Sequence, residues 1–340
     1  MVIFVTGGAG FIGSQFIRSW IQQHPEDELI NFDKLTYAGN LENLAAVESH
    51  PSYRLVRGDI CNPEQVSRAL PEGCEAVVHF AAESHVDRSI MSAAEFVQTN
   101  VLGTQVLLDV ARSKGVRRFI YISTDEVGGS IPEGLFFRED SPLAPSSPYA
   151  ASKAAGEHLA RAAAHTFGMD VIITRTSNNY GPYQFPEKLI PLAICNALED
   201  QPIPVYGDGL QVRDWIYVED NCRALIEVLK RGRARATYHI GGGCQIPNLE
   251  LLKKLLHIMG KPESLLTHVT DRPGHDRRYA VDCSLIRSEL GWQPEVSLEE
   301  GLRRTVEWYR SNPGWVARTR SGEYRSYYER LYGAALGRKP

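Results

Sequence analysis

Residues 2–13 read Val-Ile-Phe-Val-Thr-Gly-Gly-Ala-Gly-Phe-Ile-Gly. A β-branched apolar run passes into glycines and then into Phe11–His24, which has a helical period. Gly8, Gly10 and Gly13 fit the spacing G-x-G-x-x-G, and Gly7, Gly10 and Gly13 recur every three residues. Glycines at a strand-to-helix turn let the backbone approach a pyrophosphate. The helix N terminus adds free N–H groups and the positive end of its dipole. Asp33 closes the next apolar run, twenty residues after Gly13. A carboxylate there accepts a ribose 2′-hydroxyl and repels a 2′-phosphate, so NAD is expected rather than NADP, with Lys34 as the one dissenting charge. The plainer reading is a glycine-rich turn beside a solvated acid. Strand, turn, helix and acid in the right order outweigh it.

Around this motif, short apolar runs alternate with longer helical patterns. Strands are expected at Val2–Thr6, Leu29–Asp33, Tyr53–Arg57, Ala76–Phe80, Arg118–Ser123 and Val171–Thr176, and helices at Pro63–Leu70, Ala93–Lys114 and Tyr149–Phe167. Near-continuous apolar strands signal a parallel sheet covered on both faces. The fold class is therefore α/β, a Rossmann-like doubly wound parallel sheet. After Thr176 the rhythm breaks at Pro182, Pro186, Pro191, Pro202 and Pro204, and a strand-then-helix pattern returns at Tyr217–Lys230. Residues 1–176, joined by 212–240, are expected to form the NAD-binding domain. Residues 177–340 would form a smaller α/β substrate-binding domain built from separated segments. Tyr324, Tyr327, Tyr328, Leu331 and Tyr332 share one helical face, which reads as packing.

The chain has 340 residues, 43% of them hydrophobic and 23% charged, with a net charge of −4. Without a basic stripe, a nucleic-acid groove is not expected. The six cysteines form no Cys-x-x-Cys pair, so no metal site is expected, and reduced thiols are the natural state in a chain of this size. No apolar run reaches the roughly 18 residues of a membrane span. With a strand starting at Val2, no signal peptide and a cytoplasmic location are expected.

Two further stretches carry chemistry. Tyr149-Ala-Ala-Ser-Lys153 places Tyr149 and Lys153 four residues apart on one helix face. A nearby ammonium lowers a phenol's pKa and makes it a usable base for a sugar hydroxyl. Ser123-Thr-Asp-Glu126 ends the fifth strand. Beyond the strand end, alternation lapses, so Asp125 and Glu126 can turn toward one ligand at the carboxyl edge where such sheets bind. A solvated acidic loop is the bland alternative. An alcohol oxidation coupled to loss of water would use both pairs.

These stretches resemble the extended short-chain dehydrogenase/reductases, and among them the nucleotide-sugar dehydratases. The likeness continues through Phe32–Gly39, His79–Ser89, Asn178–Tyr183, Pro186–Pro191, Val205–Gly209, Arg272–His275 and Ser321–Tyr324, over nearly the whole chain. It implies catalytic roles for Thr124, Asp125, Glu126, Tyr149 and Lys153. It implies cofactor contacts from Gly7, Gly10, Phe11, Ile12, Gly13, Asp33, Lys34, Leu35, Thr36, Asp59, Ile60, Phe80, Ala81, Ala82, Glu83, Ser84, Thr99, Tyr149, Lys153 and Asn179. For the nucleotide sugar, with dTDP-glucose the expected substrate, it implies Ser84, Thr124, Asn178, Lys188, Leu189, Pro204, Val205, Tyr206, Arg213, Asn248, Asp271, Arg272, Pro273, Gly274 and His275. It also implies a homodimer in which the helices near Ala93–Lys114 and Tyr149–Phe167 pair with their copies. The family usually reads Ser-Thr-Asp-Glu-Val-Tyr-Gly, whereas this chain has Gly128 in place of the tyrosine. An epimerase or decarboxylase of a nucleotide sugar needs the Tyr-Lys pair but not two acids. An NAD-bound sensor without catalysis needs neither pair.

Overall fold

The computed structural model describes residues 1–333 and Leu336. The last part of the expected second domain, residues 334–335 and 337–340, lies outside the described residues. The strands are β1 (Val2–Thr6), β2 (Glu28–Asp33), β3 (Tyr53–Arg57), β4 (Ala76–His79), β5 (Arg118–Thr124), β6 (Val171–Thr176), β7 (Asn178–Tyr180), β8 (Ile203–Tyr206), β9 (Val212–Tyr217), β10 (Thr237–Ile240), β11 (Gln245–Pro247) and β12 (Leu266–Val269).

Seven strands form one parallel sheet in the order β10-β6-β5-β4-β1-β2-β3. Each face is covered, which explains the near-continuous apolar strands. On one face, Phe16, Ile17 and Trp20 of the helix Phe11–Gln23 pack with Leu225 and Leu229 of Val218–Arg231. On the other, Leu107, Leu108 and Ala111 meet Ala160, Ala163 and Ala164 of Pro148–Phe167. Ser147 caps this last helix by accepting from the Ala150 N–H, proline follows at its first position, and Gly168 ends it in the left-handed region. The strand order reverses between β1 and β4, and a crevice opens there beyond the carboxyl ends of the strands.

A smaller sheet, β11-β9-β7, and the pair β12-β8 surround a separate core that includes Ile194, Leu252, Leu255, Tyr309 and Trp315. The expected span 212–240 therefore divides. Val212–Tyr217 belongs to the small sheet, while the following helix and β10 complete the large one. The tail tyrosines are packing residues: Tyr324, Tyr328 and Tyr332 bury with Leu192, and Tyr327 lies edge-on to His85.

One expected helix is not regular. Between the short helix Ala94–Phe96 and Thr104–Ser113, residues Val97–Gly103 widen into a π-helix. The widened turn carries Asn100 to the loop after β4. There its amide accepts from the Glu83 N–H at 2.9 Å, donates to the Glu83 carbonyl at 2.9 Å and donates to Ser152 at 2.8 Å. Helix periodicity contains no signal for such a bulge; the buried amide's demand for partners explains it.

Candidate active site

The crevice is a cleft of about 320 Å³ running from the glycine turn to Asp125, Glu126, Tyr149, Lys153 and Lys188. Of the residues expected to contact the cofactor, all but Leu35 line it. Leu35 has φ of 57° and packs on the core, while its N–H donates to Asp33 at 2.7 Å. It therefore shapes the carboxylate rather than the cleft wall.

The glycine turn fits a dinucleotide. Gly7 is left-handed, and a Cβ there would come 2.5 Å from the Ala81 nitrogen; at Gly13 it would run into the Gly7 carbonyl. These two close the turn against β4 and the helix. At Gly10 a Cβ would meet only the Gly7 oxygen at 3.3 Å, so its side faces open space in the cleft. No side chain caps the helix that follows, and no acid occupies its first turn. That leaves its N terminus for an anion. Asp33 spends one oxygen on the Ala9 N–H at 2.8 Å and the other on Leu35, with lone pairs left for a ribose. Lys34 is engaged with Asp59 at 2.7 Å, so its charge is already answered. Gly10→Val should keep the fold while weakening NAD binding at least about tenfold, measurable by titration calorimetry.

The reacting end is built from three elements. Thr124 is the last residue of β5, and its hydroxyl accepts from the Glu126 N–H at 3.3 Å to start a tight turn over Asp125–Gly128. This turn ends the strand alternation and brings both acids to the cleft. Their environments differ. Asp125 is 3% exposed, and burial, then the charges of Glu126 and Asp214, hold its carboxyl well above the ordinary range, against Arg213 and the Thr124 hydrogen bond. Glu126 is also raised by burial, but Arg272, Arg213 and Lys188 pull it back. Burial thus favours the neutral form more strongly at Asp125 than at Glu126, where three cations oppose it.

Tyr149 departs from expectation. Its phenol is raised, first by burial, then by the Glu126 and Asp125 charges, with hydrogen bonding to Thr124 offsetting part of this. Lys153 does not depress it here. Burial pulls Lys153 itself down to about 7, and its Nζ lies 4.5 Å above the Tyr121 ring. The protein alone presents a phenol; a further positive charge in the cleft is needed to make a base of it.

Among the expected substrate residues, Ser84, Thr124, Asn178 and Lys188 line the cleft, and Lys188 Nζ donates to the Ser84 carbonyl at 2.7 Å. The others, Leu189, Pro204, Val205, Tyr206, Arg213, Asn248, Asp271, Arg272, Pro273, Gly274 and His275, do not. Val205 is buried in the core around the small sheet, and Leu189 packs partly buried against it. Tyr206 bonds Asp87 at 3.2 Å and Tyr332 at 3.1 Å. Arg272 is held by Asp87 at 3.2 Å, and Arg213 lies over the Tyr279 ring. Both arginines reach Glu126 through charge.

Several cleft residues had no sequence signal of their own. Glu187 accepts from Tyr37 at 3.0 Å and pairs with Arg88 at 3.1 Å, while Trp315 donates to Asn43 at 3.0 Å across the cleft wall. At Gly128, a Cβ would come 2.9 Å from the Phe137 ring, so an aromatic from a later loop already fills the space beside it.

Residues 4–305 match the family model described as GDP-mannose 4,6 dehydratase. The dTDP-glucose 4,6-dehydratase of Streptomyces niveus is 53% identical over 319 residues, covering 93% of this chain and 94% of the relative. That of Shigella flexneri is 49% identical, covering 98% and 99%. Among solved structures, the dTDP-glucose 4,6-dehydratase DesIV of Streptomyces venezuelae, crystallised with NAD and TYD bound, superposes with a TM-score of 0.90. It shares 53% identity over 93% of this chain and 98% of its own.

Proposed function

We infer the function from the premise that the chain belongs to the GDP-mannose 4,6 dehydratase family, within the extended short-chain dehydrogenase/reductases. The protein is an NAD-dependent hydro-lyase that converts dTDP-glucose to dTDP-4-keto-6-deoxyglucose. The observation that carries the mechanism is geometric: Asp125 and Glu126 leave one strand end together and line a single cleft with Tyr149, Lys153 and Lys188.

Bound NAD⁺ supplies the hydride acceptor for C4, the hydride later returned to C6, and a positive ring charge. Tyr149, with Lys153 one turn further along the same helix face, takes the proton of the C4 hydroxyl, whose oxygen Thr124 steadies. Once C4 is a ketone, the C5 proton is acidic and Glu126 removes it. Asp125 gives its proton to the C6 hydroxyl, which leaves as water. Glu126 returns a proton to C5, and the proton held by Tyr149 is passed through solvent to Asp125, so the enzyme is reset and the net change is one water lost. Lys188, on the cleft wall, is the cation placed for the diphosphate, while Arg213 and Arg272 act on Glu126 through charge. In this reading Asp125 has no counterpart in an epimerase or decarboxylase, which sets those alternatives aside. The test is dTDP-glucose deuterated at C4: the product should weigh one water less and carry the deuterium at C6. Product without deuterium at C6 sinks the mechanism.

We also propose a two-domain division near residue 176, with residues 218–240 returning to the first domain, and a homodimer. Val97 and Leu102, exposed on the π-helical segment that packs on Pro148–Phe167, support the dimer. Light scattering at micromolar concentration should give twice the chain mass; a monomer refutes it. No described helix is long and apolar enough to cross a membrane. Six unpaired cysteines favour a cytoplasmic setting.

A further inference from the structure

Phe185, Glu187 and Lys188 line the cleft from a turn that precedes the helix Leu189–Leu198. The Lys188 N–H closes this turn on the Phe185 carbonyl at 3.3 Å, a long bond. Outside helix and sheet, such a turn takes its position from the side chains packed around it.

Several of those side chains come from the tail helix Glu323–Tyr332. Tyr324 is buried. Its hydroxyl donates to the Pro186 carbonyl at 3.0 Å, and its ring meets Phe185 edge-on at 5.8 Å. Tyr327 acts one residue further along the turn, through Arg88. The Arg88 guanidinium packs on two rings, 4.3 Å from the Tyr327 centroid and 3.9 Å from that of Tyr37. Held there, it meets one Glu187 oxygen at 3.1 Å, while the Tyr37 hydroxyl donates to the other at 3.0 Å. The Glu187 side chain is 2% exposed, so these partners offset the cost of burying its charge. The Tyr327 hydroxyl is 3.5 Å from His85, too long for a strong bond, so the ring is what Tyr327 contributes. Pro186 and Glu187 are thus gripped from the tail side, directly before Lys188.

We propose that Tyr324 and Tyr327 are positioning residues for Lys188: the tail helix fixes the turn that aims this ammonium at the nucleotide sugar. Neither tyrosine lines the cleft. The role rests on the reading of Lys188 as the diphosphate cation. The dinucleotide end of the cleft is built on other elements, the glycine turn and Asp33, so the tail helix governs the nucleotide sugar and not NAD. The two residues act through different groups. At Tyr324 the hydroxyl makes the contact; at Tyr327 the ring does, through the cation it covers.

Titration calorimetry of dTDP into the NAD-bound protein tests this. Tyr324→Phe should weaken dTDP about fivefold, because a buried carbonyl loses its donor. Tyr327→Phe should match wild type, whereas Tyr327→Leu should weaken dTDP about tenfold, because Arg88 loses an aromatic face. With dTDP-glucose the same losses should appear in KM with kcat little changed, and NAD affinity should stay at its wild-type value. Tyr327→Phe as weak as Tyr327→Leu overturns the ring's role. NAD affinity that falls in step with dTDP affinity overturns positioning in favour of a general loss of structure. Tyr324→Phe removes one oxygen and decides the matter should Tyr327→Leu misfold: wild-type dTDP affinity in that variant overturns the brace. Lys188→Met separates the two readings. If it binds dTDP as tightly as wild type, the diphosphate assignment fails and the role with it. If it weakens dTDP while Tyr324→Phe and Tyr327→Leu do not, the brace alone fails.

Discussion

Tyr149→Phe is expected to lower kcat about a thousandfold while KM for dTDP-glucose changes little. The substitution removes one oxygen. The ring stays edge-on to Phe96 at 6.3 Å, so the helix and its packing should survive, as circular dichroism would verify. What is lost is the group proposed to take the C4 proton, and with it the ketone on which every later step depends. Because the oxidation then limits turnover, the C4 deuterium isotope effect on kcat should rise. Turnover that survives the substitution would mean that the phenol is not the base. An absence of wild-type turnover would revive the non-catalytic reading.

The second large effect separates the two acids. Asp125→Asn and Glu126→Gln should each lower product formation by about a hundredfold or more, but they should stop at different places. In deuterated water, Asp125→Asn should still exchange the C5 proton, since Glu126 is intact, while the C6 hydroxyl stays on. Glu126→Gln should exchange nothing at C5. Mass spectrometry of the quenched sugar nucleotide distinguishes these outcomes, and identical exchange in both variants would refute the assignment of roles. The same asparagine should make the protein more stable. The folded Asp125 carboxyl titrates above its unfolded value, so between about pH 4 and the folded pKa folding takes up a proton. The wild type is therefore penalised progressively as pH rises through that window, and the variant is not. Its advantage in melting temperature should be near zero at about pH 4 and grow as the pH rises, at about 2 °C per kcal/mol for a chain of this size. An advantage that shrinks with pH would contradict the buried acid.

What could be read in advance was whatever the chain writes locally. The strand, glycine turn and helix of residues 2–23 and the acid at Asp33 are set by backbone sterics and charge, and they fold as read. The pair Tyr149 and Lys153 needs only helical spacing. Asp125 and Glu126 needed one inference, that the strand stops at Thr124, and the Thr124 hydroxyl accepting from the Glu126 N–H supplies the reason. Electrostatics was less legible. Proximity along the sequence suggested that Lys153 would acidify Tyr149, yet desolvation and the two acids dominate there. Assembly across distant segments was not legible from spacing: Glu187 against Arg88, Phe137 beside Gly128, Tyr327 on Arg88 and the π-bulge at Asn100 each depend on partners far along the chain. Of the expected substrate residues, Val205 is buried in the small sheet's core and Leu189 packs partly buried against it, which spacing alone does not reveal.

The hydrogen bond from Trp315 to Asn43 joins residues 272 positions apart, and both line the dinucleotide cleft. The wall beside the glycine turn is thus shared between a segment that follows Asp33 and a tryptophan packed in the small sheet's core. Ligand binding stabilises only the state that can hold the ligand. A dinucleotide held in this cleft therefore steadies the docking of Trp315 on Asn43 as well as the turn that cradles it.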